Sequence, residues 1–262
     1  MSRIALAQTT STDDLEANLR AANALIAEAA AGDAALLAFP EVFLYIGGRA
    51  RKLEIAEPLD GPLVSQFREA AARHGMMLLL GSLHERIAGN EAKVHNTSVL
   101  IGADGSVLSV YRKMKLFDVE LPGLRIKESD TIEAGTELAP VVRTAIGAVG
   151  LSICFDLRFA HLYGRLRRDG AEVIFVPSNF TAPTGGAHWS VLLRARAVEN
   201  QLFVVAPAQY GEHNPRYRSY GHSLVVDPWG EVLVEAPDRP GLVYADIDLG
   251  RVADVRRNLP MD

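Results

Sequence analysis

The only cysteine of the chain, Cys154, is the residue that most directly suggests nucleophilic chemistry. It lies where the apolar segment Leu151–Ile153 ends and a helical pattern begins. Unpaired backbone N–H groups and the positive end of a helix dipole occur at such a turn, where they lower a thiol pKa and can bind an oxyanion. Arg158, one turn further on, adds positive charge. The alternative is a small buried core residue, since free cysteines are among the most buried residue types.

Two charged residues also follow predicted strands. Glu41 comes directly after Pro40 and has apolar neighbours on both sides, so burial is expected. A buried carboxylate has a raised pKa and can act as a general base; the alternative is a helix cap or a surface carboxylate. Lys113 belongs to the basic segment 111–115, which could be a solvated face. A lysine close to an acyl intermediate would instead stabilise its negative charge.

These residues are connected by alternating strand and helix patterns. The predicted strands are Ile4–Ala7, Ala34–Phe39, Met76–Leu83, Thr97–Ile101, Val107–Tyr111, Val149–Ile153, Glu172–Val176, Leu202–Ala206, Ser223–Val226 and Glu231–Glu235. The predicted helices are one that begins near Asp13, with Asp13 and Glu16 spaced as a capping box, and Pro62–His74, Asp156–Arg168 and Trp189–Asn200. Turn residues at 102–105 and 227–230 predict two hairpins.

The order of elements repeats in the two halves of the chain. Residues 37–43 resemble residues 174–180, and each half contains a β-α-β-α-β-β unit. Such units predict an α/β fold in which two sheets face each other with helices outside. The strands are almost entirely apolar, as expected where both faces are covered. No Pro/Gly/Ser-rich linker separates the halves, so residues 1–262 are predicted to form a single domain.

Composition excludes several classes of protein. The chain has 262 residues with 48% hydrophobic and 23% charged residues, which is typical of a globular protein and not of a disordered one. A net charge of −5 predicts no general attraction to nucleic acid or anionic membranes. One cysteine excludes an internal disulfide framework, and it weakly favours a reducing compartment.

Targeting and cofactor motifs are also missing from the sequence. The apolar run at the start is too short for a signal peptide, and no run approaches the roughly 18 apolar residues of a membrane span. A cytoplasmic location is therefore expected. The seven histidines include no HExxH motif, so no metal is expected. The sequence has no phosphate loop, GxGxxG or GxSxG motif, and no cofactor is expected.

Three segments, taken together in chain order, resemble the carbon–nitrogen hydrolase (nitrilase) superfamily. They are residues 39–41, 111–116 and 150–159. The catalytic set of that family is one Glu, one Lys and one Cys in this order, which implies Glu41, Lys113 and Cys154 here. The resemblance covers essentially the whole chain, and it implies a four-layer αββα sandwich.

Within the superfamily, four further segments resemble the deaminated glutathione amidases. They are residues 117–123, 183–189, 191–201 and 219–230. This resemblance implies a thiol-dependent amidase that forms a thioester and converts deaminated glutathione to 2-oxoglutarate and cysteinylglycine. It also implies a small-molecule amide substrate and a homodimer or higher homo-oligomer. The family usually has Pro-Glu after Arg158-Phe159, whereas this chain has Ala160-His161, a departure at the start of the predicted helix.

The family mechanism assigns roles to individual positions. Cys154 attacks the amide carbonyl, Glu41 moves the protons, and Lys113 binds the oxyanion with a backbone N–H. The residues implied in substrate binding are Glu128, Phe155, Arg158, Phe180 and Thr184. The N–H of Phe155 is the backbone donor, and Glu128 supports the lysine or orients the substrate. The arginine suits the carboxylate of a 2-oxo acid because its planar guanidinium binds bidentately.

Three alternatives stay open from the sequence. The first is an ω-amidase that acts on 2-oxoglutaramate. The second is an amidohydrolase of N-carbamoyl amino acids. The third is a catalytically silent scaffold of the same fold, although the presence of Glu41, Lys113 and Cys154 together argues against it.

Overall fold

A computed structural model describes residues 1–121, 124–215 and 217–261. In the first part of the chain the elements are β1 (Ser2–Gln8), α1 (Leu15–Ala31), β2 (Leu36–Ala38), α2 (Arg49–Ile55), α3 (Pro62–His74), β3 (Met77–Ile87), β4 (Asn90–Ile101), β5 (Val107–Arg112), β6 (Asp118–Leu121) and β7 (Leu124–Lys127). They are followed by β8 (Val142–Thr144), β9 (Gly147–Leu151), α4 (Ala160–Arg168), β10 (Val173–Phe175), α5 (Ala182–Asn200), β11 (Phe203–Ala206), β12 (Tyr210–Asn214), β13 (Tyr217–Tyr220), β14 (Leu224–Val226), β15 (Val232–Glu235), β16 (Gly241–Ile247) and α6 (Leu249–Asn258). Short 3-10 turns lie at Glu128–Asp130 and Cys154–Arg158.

Two six-stranded sheets have related topologies. The first has the order β16-β1-β2-β3-β4-β5 and the second the order β15-β14-β11-β10-β9-β8. In the first sheet β1, β2 and β3 are parallel, and β4 and β5 follow antiparallel. In the second, β9, β10 and β11 are parallel, and β14 and β15 follow antiparallel. The repeat predicted from the sequence is therefore a repeat of sheet topology.

The sheets pack face to face because side chains alternate along each strand. Leu6 of β1 belongs to a buried apolar cluster that also contains Leu151 of β9 and Phe175 of β10, so it faces the second sheet. Ala5, the neighbour of Leu6, belongs instead to a cluster with Phe67 of α3. Helices α4 and α5 contribute to the cluster of the second sheet. The result is the predicted α/β fold with four layers, αββα.

Three predicted helix starts were wrong in detail, those of α1, α4 and α5. The Asp14 carboxylate, and not that of Asp13, caps α1, since its Oδ1 accepts a 2.9 Å hydrogen bond from Ala17 N. The helix expected from Asp156 begins later, because Cys154–Arg158 forms a 3-10 turn and α4 starts only at Ala160. The two hydrogen bonds that the Asp156 carboxylate accepts from backbone N–H groups stabilise this tighter turn.

Other elements were not predicted. They include helices α2 and α6, the outer strands β8 and β16, and two small hairpins formed by β6–β7 and β12–β13. Helix α5 begins seven residues before the predicted Trp189, at Ala182, with Pro183 in its first turn, where proline is favoured. In the quoted segment 117–123, Pro122 and Gly123 lie outside the described residues. In the part of the chain that the structure describes, no helix is both long and apolar enough to cross a bilayer.

Candidate active site

Three strand ends bring Glu41, Lys113 and Cys154 to one cavity. Glu41 lies three residues after β2, Lys113 directly follows β5, and Cys154 lies three residues after β9. Lys113 Nζ lies 2.8 Å from Glu41 Oε1, and all three side chains are buried. The structure thus brings together the three residues that the sequence singled out, two from the first sheet and one from the second.

The backbone around Glu41 is fixed by contacts from both halves of the chain. Pro40 ends the strand, and Val42 has a φ of +48°, which is uncommon for a residue with a branched side chain. Ser82 Oγ accepts a 2.9 Å hydrogen bond from Val42 N. Gln209 Nε2, from the second half, donates a 3.0 Å hydrogen bond to the carbonyl oxygen of Glu41. These contacts aim the carboxylate of Glu41 into the cavity.

Cys154 occupies a strained backbone position. Its φ is +46°, in the left-handed region, and it is the first residue of the 3-10 turn. Its own N–H donates a 3.0 Å hydrogen bond to the carbonyl of Pro177. Phe155 follows, and the first N–H groups of a helical turn have no partner within the turn. A nucleophile and a neighbouring backbone donor are therefore presented together, as acyl chemistry requires.

The electrostatics of these residues favour a neutral thiol in the resting site. Burial raises the pKa of the Cys154 thiol well above its ordinary value; the Glu41 carboxylate adds to this effect, and Lys113 opposes it. Burial alone would lower the pKa of Lys113, but the carboxylates of Glu128 and Glu41 raise it well above its ordinary value. Lys113 is therefore a permanent ammonium group. The sulfur needs a base next to it before it can attack, and Glu41 is in contact with it.

Glu128 completes the surroundings of the lysine. Its Oε2 accepts hydrogen bonds from Lys113 Nζ (2.8 Å) and Phe117 N (2.7 Å). Asn96 Nδ2 lies 2.9 Å from Glu41 Oε1 and 3.2 Å from Glu128 Oε1, so one amide group bridges the two glutamates. Burial would raise the pKa of Glu128, but Lys113 and the hydrogen bonds bring it below its ordinary value. Both glutamates thus act as acceptors toward the same ammonium.

Asp156 links the nucleophile turn to the segment that carries Lys113. Its Oδ2 accepts hydrogen bonds from Tyr111 Oη (2.7 Å) and Ile153 N (2.9 Å), and its Oδ1 accepts one from Lys115 N (2.9 Å). Burial raises the pKa of Asp156 to about 6, against the effect of the Tyr111 hydrogen bond. This buried carboxyl group therefore fixes the two sheets relative to each other beside the site.

Two cavities meet at Cys154. The larger has a volume of about 580 Å³, within the range of small-molecule sites, and Glu41, Lys113 and Glu128 line it. The smaller holds about 10 Å³, roughly the space of one water molecule. Phe117, Cys154 and Asn179 line both cavities. The other predicted substrate residues, Phe155, Arg158, Phe180 and Thr184, all line the smaller one.

Arg158 is poised beside the sulfur without an acidic partner. Its guanidinium lies 5.6 Å from the ring centroid of Phe155 and 5.4 Å from that of Phe180. Its Nη2 is 3.2 Å from His188 Nδ1. Within the described residues no carboxylate lies within 4 Å of it. A half-buried guanidinium stacked on aromatic rings in this way is a ready site for an anion.

Several residues at the site were not predicted from the sequence. Asn96, Asn179 and Gln209 contact the predicted set, and Asp156 binds the backbone next to it. The Asn179 N–H hydrogen-bonds the sulfur and lowers the thiol pKa. Asp156 and Asn179 follow strand ends within segments already quoted, so their position was a usable signal. Nothing in the sequence singles out Asn96 or Gln209. Among the described residues no group of three His, Cys, Asp or Glu side chains could hold a metal ion.

Comparison with known proteins places the chain in a family. The family model of the carbon–nitrogen hydrolases matches residues 3–257. The chain belongs to the carbon–nitrogen hydrolase family. As a member it is a hydrolase of carbon–nitrogen bonds, as its resemblance to the superfamily implies.

Individual relatives of this carbon–nitrogen hydrolase agree with that assignment. The nitrilase and fragile histidine triad fusion protein NitFhit of Caenorhabditis elegans is 44% identical over 98% of the chain, which spans 59% of the length of that protein. The crystal structure of NitFhit matches 99% of the chain and 63% of its own, with a TM-score of 0.94 at 43% identity. The deaminated glutathione amidase of Mus musculus is 44% identical over 98% of the chain and 81% of its own length.

A third relative was solved with a modified cysteine. It is a mutant of the amidase from Nesterenkonia sp. AN1, which matches 98% of the chain and 96% of its own with a TM-score of 0.83 at 26% identity. That structure shows the acetamide moiety of fluoroacetamide added covalently at the active-site cysteine of the amidase.

Proposed function

We propose that the chain is a thiol-dependent amidase that hydrolyses deaminated glutathione to 2-oxoglutarate and cysteinylglycine. The observation that carries the proposal is the contact of Lys113 with Glu41 beside the sulfur of Cys154 in one buried cavity. The covalent adduct on the cysteine of the Nesterenkonia amidase supports the sulfur as nucleophile. The name of the Mus musculus relative supports the substrate.

The first half of the reaction forms a thioester. Glu41 takes the proton of the Cys154 thiol as the sulfur attacks the amide carbonyl carbon, which leaves a tetrahedral oxyanion. Lys113 Nζ and the N–H of Phe155 stabilise that oxyanion. The carbon–nitrogen bond then breaks, Glu41 returns the proton to the leaving amine, and the acyl group stays on the sulfur.

The second half uses water in place of the amine. Glu41 removes a proton from a water molecule that attacks the thioester carbonyl, and the second oxyanion uses the same two donors. When the carbon–sulfur bond breaks, the proton passes back to the sulfur and the carboxylic acid leaves. Glu128 keeps the Lys113 ammonium in position through both steps, since it accepts hydrogen bonds from Nζ on both carboxylate oxygens.

The acyl end of the substrate is assigned to the side of Arg158. A 2-oxo acid carries a carboxylate that pairs bidentately with a guanidinium. Phe155, Phe180 and Thr184 line the same small cavity, which must widen by movement of the half-buried arginine to admit the acyl chain. The carboxylate would give Arg158 the acidic partner that it lacks among the described residues.

Steady-state hydrolysis of deaminated glutathione, 2-oxoglutaramate and N-carbamoyl amino acids tests the proposal. We expect the highest kcat/KM for deaminated glutathione, and no turnover by Cys154→Ala, which should still fold. A preference for a carbamoyl compound would refute the substrate and leave the thioester chemistry standing. Wild-type protein inactive on all three would favour the scaffold alternative, and activity in Cys154→Ala would refute the nucleophile.

The assembly and location are also proposals. We propose one domain over residues 1–262, because buried residues of both sheets form one apolar cluster. A homodimer or higher homo-oligomer is supported by the exposed apolar side chains Val191 and Val198 of α5 beside a surface cavity of about 570 Å³. Light scattering of wild type and Val198→Glu tests the proposed oligomer.

A cytoplasmic location is supported by the free thiol, and cell fractionation tests that location.

A further inference from the structure

The larger cavity extends from the triad to helix α2, where a lysine forms part of its wall. Lys52, on α2, lines this cavity together with Glu41, Lys113 and Cys154. It does not line the small cavity that contains Arg158. The two cations Lys52 and Arg158 therefore lie in different cavities, and Cys154 lines both.

Lys52 has few partners for a partly buried ammonium group. Its Nζ donates one hydrogen bond, 3.1 Å long, to Thr131 Oγ1. No carboxylate lies within 4 Å of it among the described residues, although an ammonium has three hydrogens to donate. Burial lowers the pKa of Lys52, and the largest opposing influence is the Glu128 carboxylate. An anion that entered the cavity would improve the surroundings of this charge.

A second lysine in the cavity wall, Lys127, differs from Lys52 because it has an acidic partner. Lys127 pairs with Asp130 at 3.6 Å, and 54% of its side chain is exposed. A solvated pair of this kind contributes little to binding. The chain thus provides a matched control, a lysine that lines the same cavity and already has an acidic partner.

We propose that Lys52 binds a carboxylate on the amine side of the scissile bond and so selects amides whose leaving amine is an amino acid or peptide. This inference rests on the proposed function. Deaminated glutathione has a carboxylate at each end, one on the acyl side and one on the glycine of cysteinylglycine. With Arg158 on the acyl side, the glycine carboxylate extends into the larger cavity toward Lys52. 2-Oxoglutaramate releases ammonia and has no group for this lysine.

The selectivity follows from the cost of an unpaired charge. A hydrogen bond to a charged group contributes about 1.5–3 kcal/mol, which corresponds to roughly 10- to 100-fold in kcat/KM. A site built for a polar group discriminates against analogues that lack it, because its own polar group then stays unpaired. Lys52 would therefore separate deaminated glutathione from 2-oxoglutaramate, two substrates with the same acyl group.

The experiment compares kcat/KM of wild type, Lys52→Met, Lys52→Arg and Lys127→Met on deaminated glutathione, its C-terminal carboxamide and 2-oxoglutaramate. For Lys52→Met we expect the ratio of deaminated glutathione to 2-oxoglutaramate to fall about 10- to 100-fold, mainly through KM. Wild type should lose a similar factor on the carboxamide, and Lys52→Met should not distinguish carboxamide from acid. Lys52→Arg keeps the cation, so its ratio of kcat/KM for the two substrates should stay close to that of wild type. Lys127→Met should have the same ratio as wild type.

Two other results would overturn the inference in different ways. If Lys52→Met lost the same factor in kcat/KM on deaminated glutathione and on 2-oxoglutaramate, Lys52 would act through Glu128 and Lys113, and not on the substrate. A wild type that hydrolyses 2-oxoglutaramate but not deaminated glutathione would refute the proposed substrate, and the inference with it. Thermal unfolding of each variant checks that the fold is retained.

Discussion

The ends of β2 and β10 occupy equivalent places in the two sheets but carry different side chains. Each is the central strand of three parallel strands, and each is followed by a proline, Pro40 in one half and Pro177 in the other. The residue after the proline is Glu41 in the first half and Ser178 in the second. Glu41 contacts Lys113 in the cavity, whereas Ser178 Oγ donates a hydrogen bond to the nearby carbonyl of Val176.

The neighbouring strands show the same contrast. Leu37 of β2 pairs with Ala5 of β1, and its counterpart Ile174 of β10 pairs with Gly150 of β9. Four residues beyond these partners stand Thr9 in the first half and Cys154 in the second. The fold thus repeats the backbone arrangement, and Glu41 and Cys154 each lie at a position where the other half has a small hydroxyl residue, Ser178 or Thr9.

The largest expected effect is on kcat, and it comes from Glu41 and its counterpart Ser178. We expect Glu41→Gln to lower kcat about 10²- to 10⁴-fold, because the amide cannot take the thiol proton. Ser178→Ala, its counterpart, should lose about 1 kcal/mol of stability with one hydrogen bond and change kcat less than about 3-fold. Steady-state kinetics with urea unfolding measures both. A large loss of kcat in Ser178→Ala would show that Ser178 also takes part in turnover, which contradicts the contrast between the two halves.

A second pair tests the backbone that holds Glu41. A Cβ at Gly81 of β3 would collide with the carbonyl oxygens of Phe39 and Pro40. We expect Gly81→Ala to destabilise the fold by at least about 3 kcal/mol, because the obstacle is backbone. Gly164→Ala in α4 is the control, since its Cβ would meet only ordinary contacts and should stabilise the helix by about 0.5–1 kcal/mol. Denaturant unfolding measures both, and similar stability of the two variants would contradict the close approach.

The smallest effect concerns the contact between the halves. The pKa of Asp156 is raised to about 6 from an ordinary value of 3.8, so the fold favours its protonated form. Its contribution to stability is complete below about pH 4 and is lost as the pH rises through 6. The free energy of unfolding of wild type minus that of Asp156→Asn should therefore fall by up to about 3 kcal/mol between pH 4 and 7. Urea unfolding across this range measures it, and a pH-independent difference would refute the shifted pKa.

The sequence predicted the parts of the fold that depend on local pattern. Apolar runs ended by proline gave the central strands, and the bounds of α3 were predicted correctly because its apolar stripe, proline start and Gly75 end agree. The edge strands β8 and β16 were missed, since a half-covered strand has no long apolar run. The 3-10 turn at Cys154 was missed because side-chain contacts of Asp156 decide it, and two of its three partners, Tyr111 and Lys115, belong to the side of the other sheet.

The site residues also divide into those that the sequence could predict and those that it could not. Glu41, Lys113 and Cys154 could be found because a family resemblance marks them. Phe155, Arg158, Phe180 and Thr184, which the same resemblance implies in substrate binding, line one small cavity. Their roles stay predictions until tested. Asn96 and Lys52 could not be found, because an amide on a strand and a lysine on a surface helix are ordinary in sequence. Only the folded arrangement brings them to the cavity wall.

Labelling of the one cysteine can be used to count the molecules whose active-site sulfur is accessible. Because the chain has one cysteine, a single alkyl group added by a thiol-specific reagent reports on Cys154. The labelled fraction in an intact-mass spectrum therefore equals the fraction of molecules with an accessible sulfur. A ligand seated between the two cavities would slow that labelling, so occupancy can be read without following turnover at all.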